Sequence, residues 1–151
     1  SVFLYFPNRT ELMAAVVADV GDFYIDLAHR HHDAVSDPLL AVRSHFLAFA
    51  ESVETHPDYA QIWLEWAVLV RCEDGLWESF LEFQEEIIRI VSRSIRKCQK
   101  AGTVPVSLTA PDSARLLVAS AYTTAQLTFM KRSKRVIRRY TEKSLQLALN
   151  L

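Results

Sequence analysis

Aromatic side chains at helical spacing are the feature of this chain best suited to holding a small molecule. Tyr59, Trp63 and Trp66 recur on one segment, and Trp77, Phe80 and Phe83 on the next. Phe46 and Phe49 on the preceding segment are placed to face them, as are Ser120, Thr123, Thr124 and Gln126 on a later one. An apolar pocket with a few polar fixtures is the usual form of a small-molecule site. Gln84 stands one turn beyond Phe80 and offers an amide to such a pocket. The candidate lining is Phe46, Phe49, Trp63, Trp66, Trp77, Phe80, Gln84, Ala121 and Thr124, around a small apolar or amphipathic molecule. The plainer alternative is a solid aromatic core with Gln84 at the surface.

Other reactive groups point less far. His29 and His32 have the three-residue spacing of a same-face helical pair, and His31 lies between them. They also sit at an expected helix C-terminus, where the dipole favours histidine, and no cysteine is nearby to complete a metal site. No metal or other cofactor is expected. His45 and His56 are isolated and read as structural or solvated. Glu65, between Trp63 and Trp66, is the one carboxylate in an apolar setting. A hydrogen bond or an ion pair with Arg71 or Arg43 is its simplest use. Glu85 and Glu86 are adjacent, so on a helix they diverge and cannot act as a catalytic pair. The chain has no Gly-rich phosphate loop, no HExxH and no GxSxG. No catalytic residue is assigned, and the chain is not expected to be an enzyme.

These side chains need long elements to position them. Three glycines and five prolines in 151 residues leave few places to turn. The 26 residues between Gly75 and Gly102 contain no glycine or proline and keep a helical period, with acids early and bases late. Such a rod is about 39 Å long, and being apolar over more than one stripe it requires neighbours on several sides. Gly102 is placed to close it in a left-handed cap. Asn8 with Glu11 opens a helix to about His31, as a capping box does. Asp37-Pro38 starts another that ends near His56, and Tyr59 to Val70 makes a short apolar one. Thr109-x-x-Asp112 opens a fifth, and Arg135 to Leu151 forms the last. The fold class is all-α with about six helices.

Half the residues are hydrophobic and 11% are aromatic, enough for one domain with a real core. The formal net charge of −1 supplies no basic field for nucleic acid. Lys131, Arg132, Lys134, Arg135, Arg138 and Arg139 form the densest basic run, without interleaved aromatics for base stacking. It reads as a solvated connection bridged to the acidic face of the long central helix. No apolar run approaches a membrane span, no signal peptide opens the chain, and Cys72 and Cys98 lack CxxC spacing. A cytoplasmic location with free thiols is expected. Ala114, Val118, Ala121 and Ala125 make a smooth face suited to close helix approach. Together with Tyr140 and Leu147, the residues Ala114, Val118 and Ala125 are the candidate contacts of a homodimer.

The opening stretch Val2-Phe3-Leu4-Tyr5-Phe6-Pro7-Asn8-Arg9-Thr10-Glu11-Leu12 resembles the junction in TetR-family transcription regulators where the recognition helix hands over to the fourth helix. Phe3 to Arg9, the Ile62-Trp63-Leu64-Glu65-Trp66 element and Trp77-x-x-Phe80 resemble the LuxR/HapR-like quorum-sensing master regulators within that family. The resemblance implies that residues 1–7 are the end of a helix-turn-helix domain otherwise absent from this chain. Residues 8–151 would be the ligand-binding and dimerisation domain. It further implies a homodimer whose parent protein binds operator DNA through that missing domain, with Tyr5 and Arg9 facing phosphates. Tyr5 packed between two domains and Arg9 solvated in a first turn are the alternatives. A stand-alone helical ligand-binding or adaptor domain, with no DNA partner, is the competing function.

Overall fold

A computed structural model describes residues 8–69, 71 and 74–151. Six helices follow one another: α1 (Arg9–Ala34), α2 (Pro38–Thr55), α3 (Pro57–Leu69), α4 (Asp74–Lys100), α5 (Ala110–Phe129) and α6 (Lys134–Leu149). No strand occurs among the described residues. The all-α expectation holds, and the helix ends follow the local signals. Asn8 caps α1 by accepting from Glu11 N at 2.9 Å. Asp37 accepts from both Leu39 N and Leu40 N at the start of α2, with Pro38 in the first turn.

Gly102 ends α4 as its position predicts. Its φ is +76°; Thr103 N donates to Cys98 O at 3.0 Å and Gly102 N to Gln99 O at 3.1 Å. Those two bonds form a Schellman closure, which needs a residue in the left-handed region. Gln99 then donates to the carbonyls of Pro105 and Leu108 and folds the following loop back on the helix. Thr109 precedes α5 without any side-chain cap bond. Ser133 caps α6 by accepting from Val136 N.

The long α4 touches every helix but α6, whereas α2 touches all five others. The centre of the bundle is therefore shared by α2 and α4. One continuous core runs from Val17 on α1 to Leu149 on α6. Trp66, Ile90, Ile95 and Leu117 are its largest fully covered side chains. Gly21 is where α1 makes room for the core: a methyl group there would meet Trp66 at 3.3 Å and Phe83 at 3.5 Å. Cys98 is a buried free thiol, while Cys72 lies outside the described residues.

The smooth face of α5 is covered within the subunit, which corrects part of the expected dimer contact. Ala114 and Ala125 are fully buried and Val118 is 8% exposed, all inside the core cluster. Small residues let α5 approach its own neighbours, so these three have no surface left for a second copy. Tyr140 is half-buried and Leu147 is 71% exposed. Leu116 on α5 is exposed too, as are Met130 and Leu151 just beyond the ends of α5 and α6. No helix among the described residues is long and apolar enough to cross a membrane.

Candidate functional site

Five helices close around a cavity of about 30 Å³. Tyr24 comes from α1; His45, Phe46 and Phe49 from α2; Trp63 from α3. Phe83, Gln84 and Ile87 come from α4, and Val118 and Ala121 from α5. Burial of these apolar groups is what joins the helices; the void remains because rings of fixed shape do not tile the junction. Tyr24, Phe49 and Trp63 form a tilted triangle with centroid separations of 5.1–5.7 Å. Aromatic rings prefer such inclined geometry at these distances.

Polar atoms in the wall fall into two kinds. Tyr24 Oη and Trp63 Nε1 are buried and have no hydrogen-bond partner. Burial raises the phenol's proton affinity, so Tyr24 keeps its proton. The neighbouring Ser52 hydroxyl offsets a part of that effect while its own hydrogen is donated to Phe49 O at 2.6 Å. Leaving a buried donor unpaired costs about 1–3 kcal/mol. Gln84, by contrast, is engaged: Nε2 donates to Tyr122 Oη at 2.7 Å. Tyr122 in turn stacks on Trp63 with centroids 3.9 Å apart and planes 16° from parallel. Every lining residue is buried except Gln84, which is half-exposed.

One wall residue, His45, belongs to a histidine pair. His45 Nδ1 and His32 Nε2 are 3.1 Å apart, and His32 Nδ1 is 2.7 Å from Ser94 Oγ. One nitrogen of the facing pair must carry a proton and the other a lone pair. Burial pushes His32 down to about 4, helped by nearby His31 and Arg93 and opposed by Asp33. Burial likewise holds His45 well below the usual range, so both rings are neutral at pH 7. No charged group lines the cavity.

The expected lining is thus split. Phe46, Phe49, Trp63, Gln84 and Ala121 come together, while Trp66, Trp77, Phe80 and Thr124 lie elsewhere. Three residues apart on α3, Trp63 and Trp66 diverge by about 60°. Trp66 accordingly enters the seam of α1 and α4, stacked on Phe83 at 5.0 Å and edge-on to Phe80 at 5.6 Å. Trp77 is half-buried against Phe80, and Thr124 donates to Ser120 O on its own helix. Tyr24, His45, Ile87 and Val118 escaped the sequence reading. Tyr24 on the heptad-like stripe of α1 carried a usable signal; His45 carried none, because its partner is 13 positions away on another helix.

The remaining candidates find ordinary partners. His29 binds Asp33 at 2.8 Å, and His31 lies 3.0 Å from Ser44 Oγ. His56 is exposed and lies against Phe23 and Tyr59. Among the described residues no three metal-ligating side chains converge. Glu65 is exposed and accepts from Gln61 at 3.2 Å; the ion pair expected for Arg43 is made with Glu142 on α6 instead. In the basic run, Lys134 pairs with Glu54 on α2, not with the central helix. Tyr59 donates to Asp19 and stays outside the cavity. Arg9 is exposed at the first position of α1; Tyr5 lies outside the described residues.

The chain matches no described protein family, no curated protein and no solved structure.

Proposed function

We propose that the chain is the regulatory and dimerisation part of a TetR-type, DNA-binding transcription regulator of the LuxR/HapR-like quorum-sensing branch. It would work in the cytoplasm, without catalysis of its own. The observation that carries this reading is the position of α1. It begins at Arg9, within the junction-like stretch of residues 2–12, and contributes Tyr24 to the cavity wall. A small apolar or amphipathic effector in the cavity therefore touches the same rod that would carry the DNA-reading head. At 26 residues the rod is about 39 Å long.

Two such heads read successive major grooves only when about 34–36 Å apart, or a multiple of that. An effector alters DNA affinity to the extent that it binds one separation of the heads better than the other. His32 near the end of α1 is bonded to His45 in the cavity wall, so both Tyr24 and the histidine pair tie the rod to the cavity. The exposed Leu116 on α5 and Leu147 on α6 support a homodimer in which these helices form a four-helix contact. Arg9, exposed at the rod's first turn, would meet a phosphate, a contact that positions without reading sequence.

The test is to express the full reading frame that contains this chain and select duplexes from a random DNA library. A dimer bound to two half-sites is expected. A protein that selects no duplex, or that runs as a monomer at micromolar concentration, overturns the reading in favour of a stand-alone helical ligand-binding or adaptor domain.

A further inference from the structure

The cavity wall is chemically lopsided. Two donors, Tyr24 Oη–H and Trp63 Nε1–H, are buried without partners. No lining residue carries a charge at neutral pH, because the one ionisable base, His45, is held neutral by burial. An anion would meet no countercharge there, and a hydrocarbon would leave both donors unsatisfied. The molecule that best completes this wall is small, uncharged and equipped with a hydrogen-bond acceptor. In the present form about 30 Å³ admits only one or two waters. Anything larger must displace part of the wall, and the one half-exposed lining residue marks where. Gln84, bonded to Tyr122, closes the solvent side; Tyr122 also covers one face of Trp63.

From this geometry we infer that the cavity is a site for a small neutral carbonyl compound. The compound enters by breaking the Gln84–Tyr122 hydrogen bond, and its oxygen accepts from Tyr24 and Trp63. The inference rests on the cavity reading above and specifies its ligand class. Its neutral His45 neighbour adds a group able to accept or donate, depending on which tautomer the bond to His32 selects.

Acetophenone and α-methylstyrene differ mainly in exchanging a carbonyl oxygen for a methylene, and serve as the probe pair. Two hydrogen bonds to buried donors predict about tenfold tighter binding of acetophenone. Acetophenone should also move the Trp63 indole N–H resonance downfield, with the peak assigned by Trp63→Phe. Tyr24→Phe should reduce acetophenone affinity several-fold and leave α-methylstyrene unchanged. Gln84→Ala should speed entry of both probes without altering the preference. Equal affinities with an unmoved Trp63 proton overturn the carbonyl inference while the cavity still binds ligands. If neither probe binds measurably, the cavity holds only water, and both the inference and the ligand reading fall. Should Tyr24→Phe not fold, the Trp63 resonance in the unaltered protein decides by itself.

Discussion

At the scale of single residues, the buried histidines make the fold acid-sensitive. Their proton affinities are lowered on folding, so the unfolded chain takes up protons first. The stability they leave intact is complete above the ordinary histidine value of 6.5 and drains away as pH falls towards about 4. Each ring contributes a slope of at most about 1.4 kcal/mol per pH unit in that window. Urea midpoints should therefore drop between pH 7 and pH 5, and His32→Asn should roughly halve the drop. A flat profile would mean that neither ring is neutral in the folded state for the reason given. Gly21 gives a second residue-level outcome. Helix propensity favours almost any replacement, but the rings of Trp66 and Phe83 stand 3.3 and 3.5 Å from where its Cβ would be. Gly21→Val should lower the unfolding free energy by about 1–3 kcal/mol, since overpacking a filled seam outweighs propensity. Denaturant titration checks it.

At the scale of elements, caps explain where the rods stop, and two of them are measurable. Asp37 satisfies two backbone donors of α2, the helix that touches every other one. Asp37→Ala should cost about 1 kcal/mol, visible in global unfolding and not as local fraying. The turn after α5 closes like the end of α4, with Lys131 N donating to Thr128 O and Arg132 N to Leu127 O. Here the left-handed position is filled by Lys131, at φ 55°, where α4 uses glycine. A side chain there costs on the order of 1 kcal/mol, so Lys131→Gly should raise the melting temperature. Unchanged or lower stability would show that the lysine's own contacts outweigh the backbone strain.

At the scale of the whole molecule, the question is which apolar surface the bundle leaves for a partner. The buried small residues of α5 are ruled out as contacts, and the exposed leucines remain. Leu116→Asp with Leu147→Asp should convert the expected dimer to a monomer in light scattering. The monomer's thermal stability should change little when extrapolated to low concentration, because both side chains are more than 60% exposed. A protein already monomeric before substitution would remove the dimer from the account.

Periodicity, capping residues and scarce glycines were enough to place six helices, the cap at Asp37 and the left-handed closure at Gly102. These features are local, and each is set by residues within a turn or two of one another. The cavity was legible only in part for the opposite reason. The aromatic character of the region is a property of composition, so Phe46, Phe49 and Trp63 were readable. Which rings face one another depends on how helices rotate about their axes to bury the most surface, and that sent Trp66 to one side and Trp63 to the other. The pairing of His32 with His45, and the loss of Ala114, Val118 and Ala125 to the interior, belong to the same class of outcome. Chain-distant partners decide them, and only tertiary packing brings those partners together.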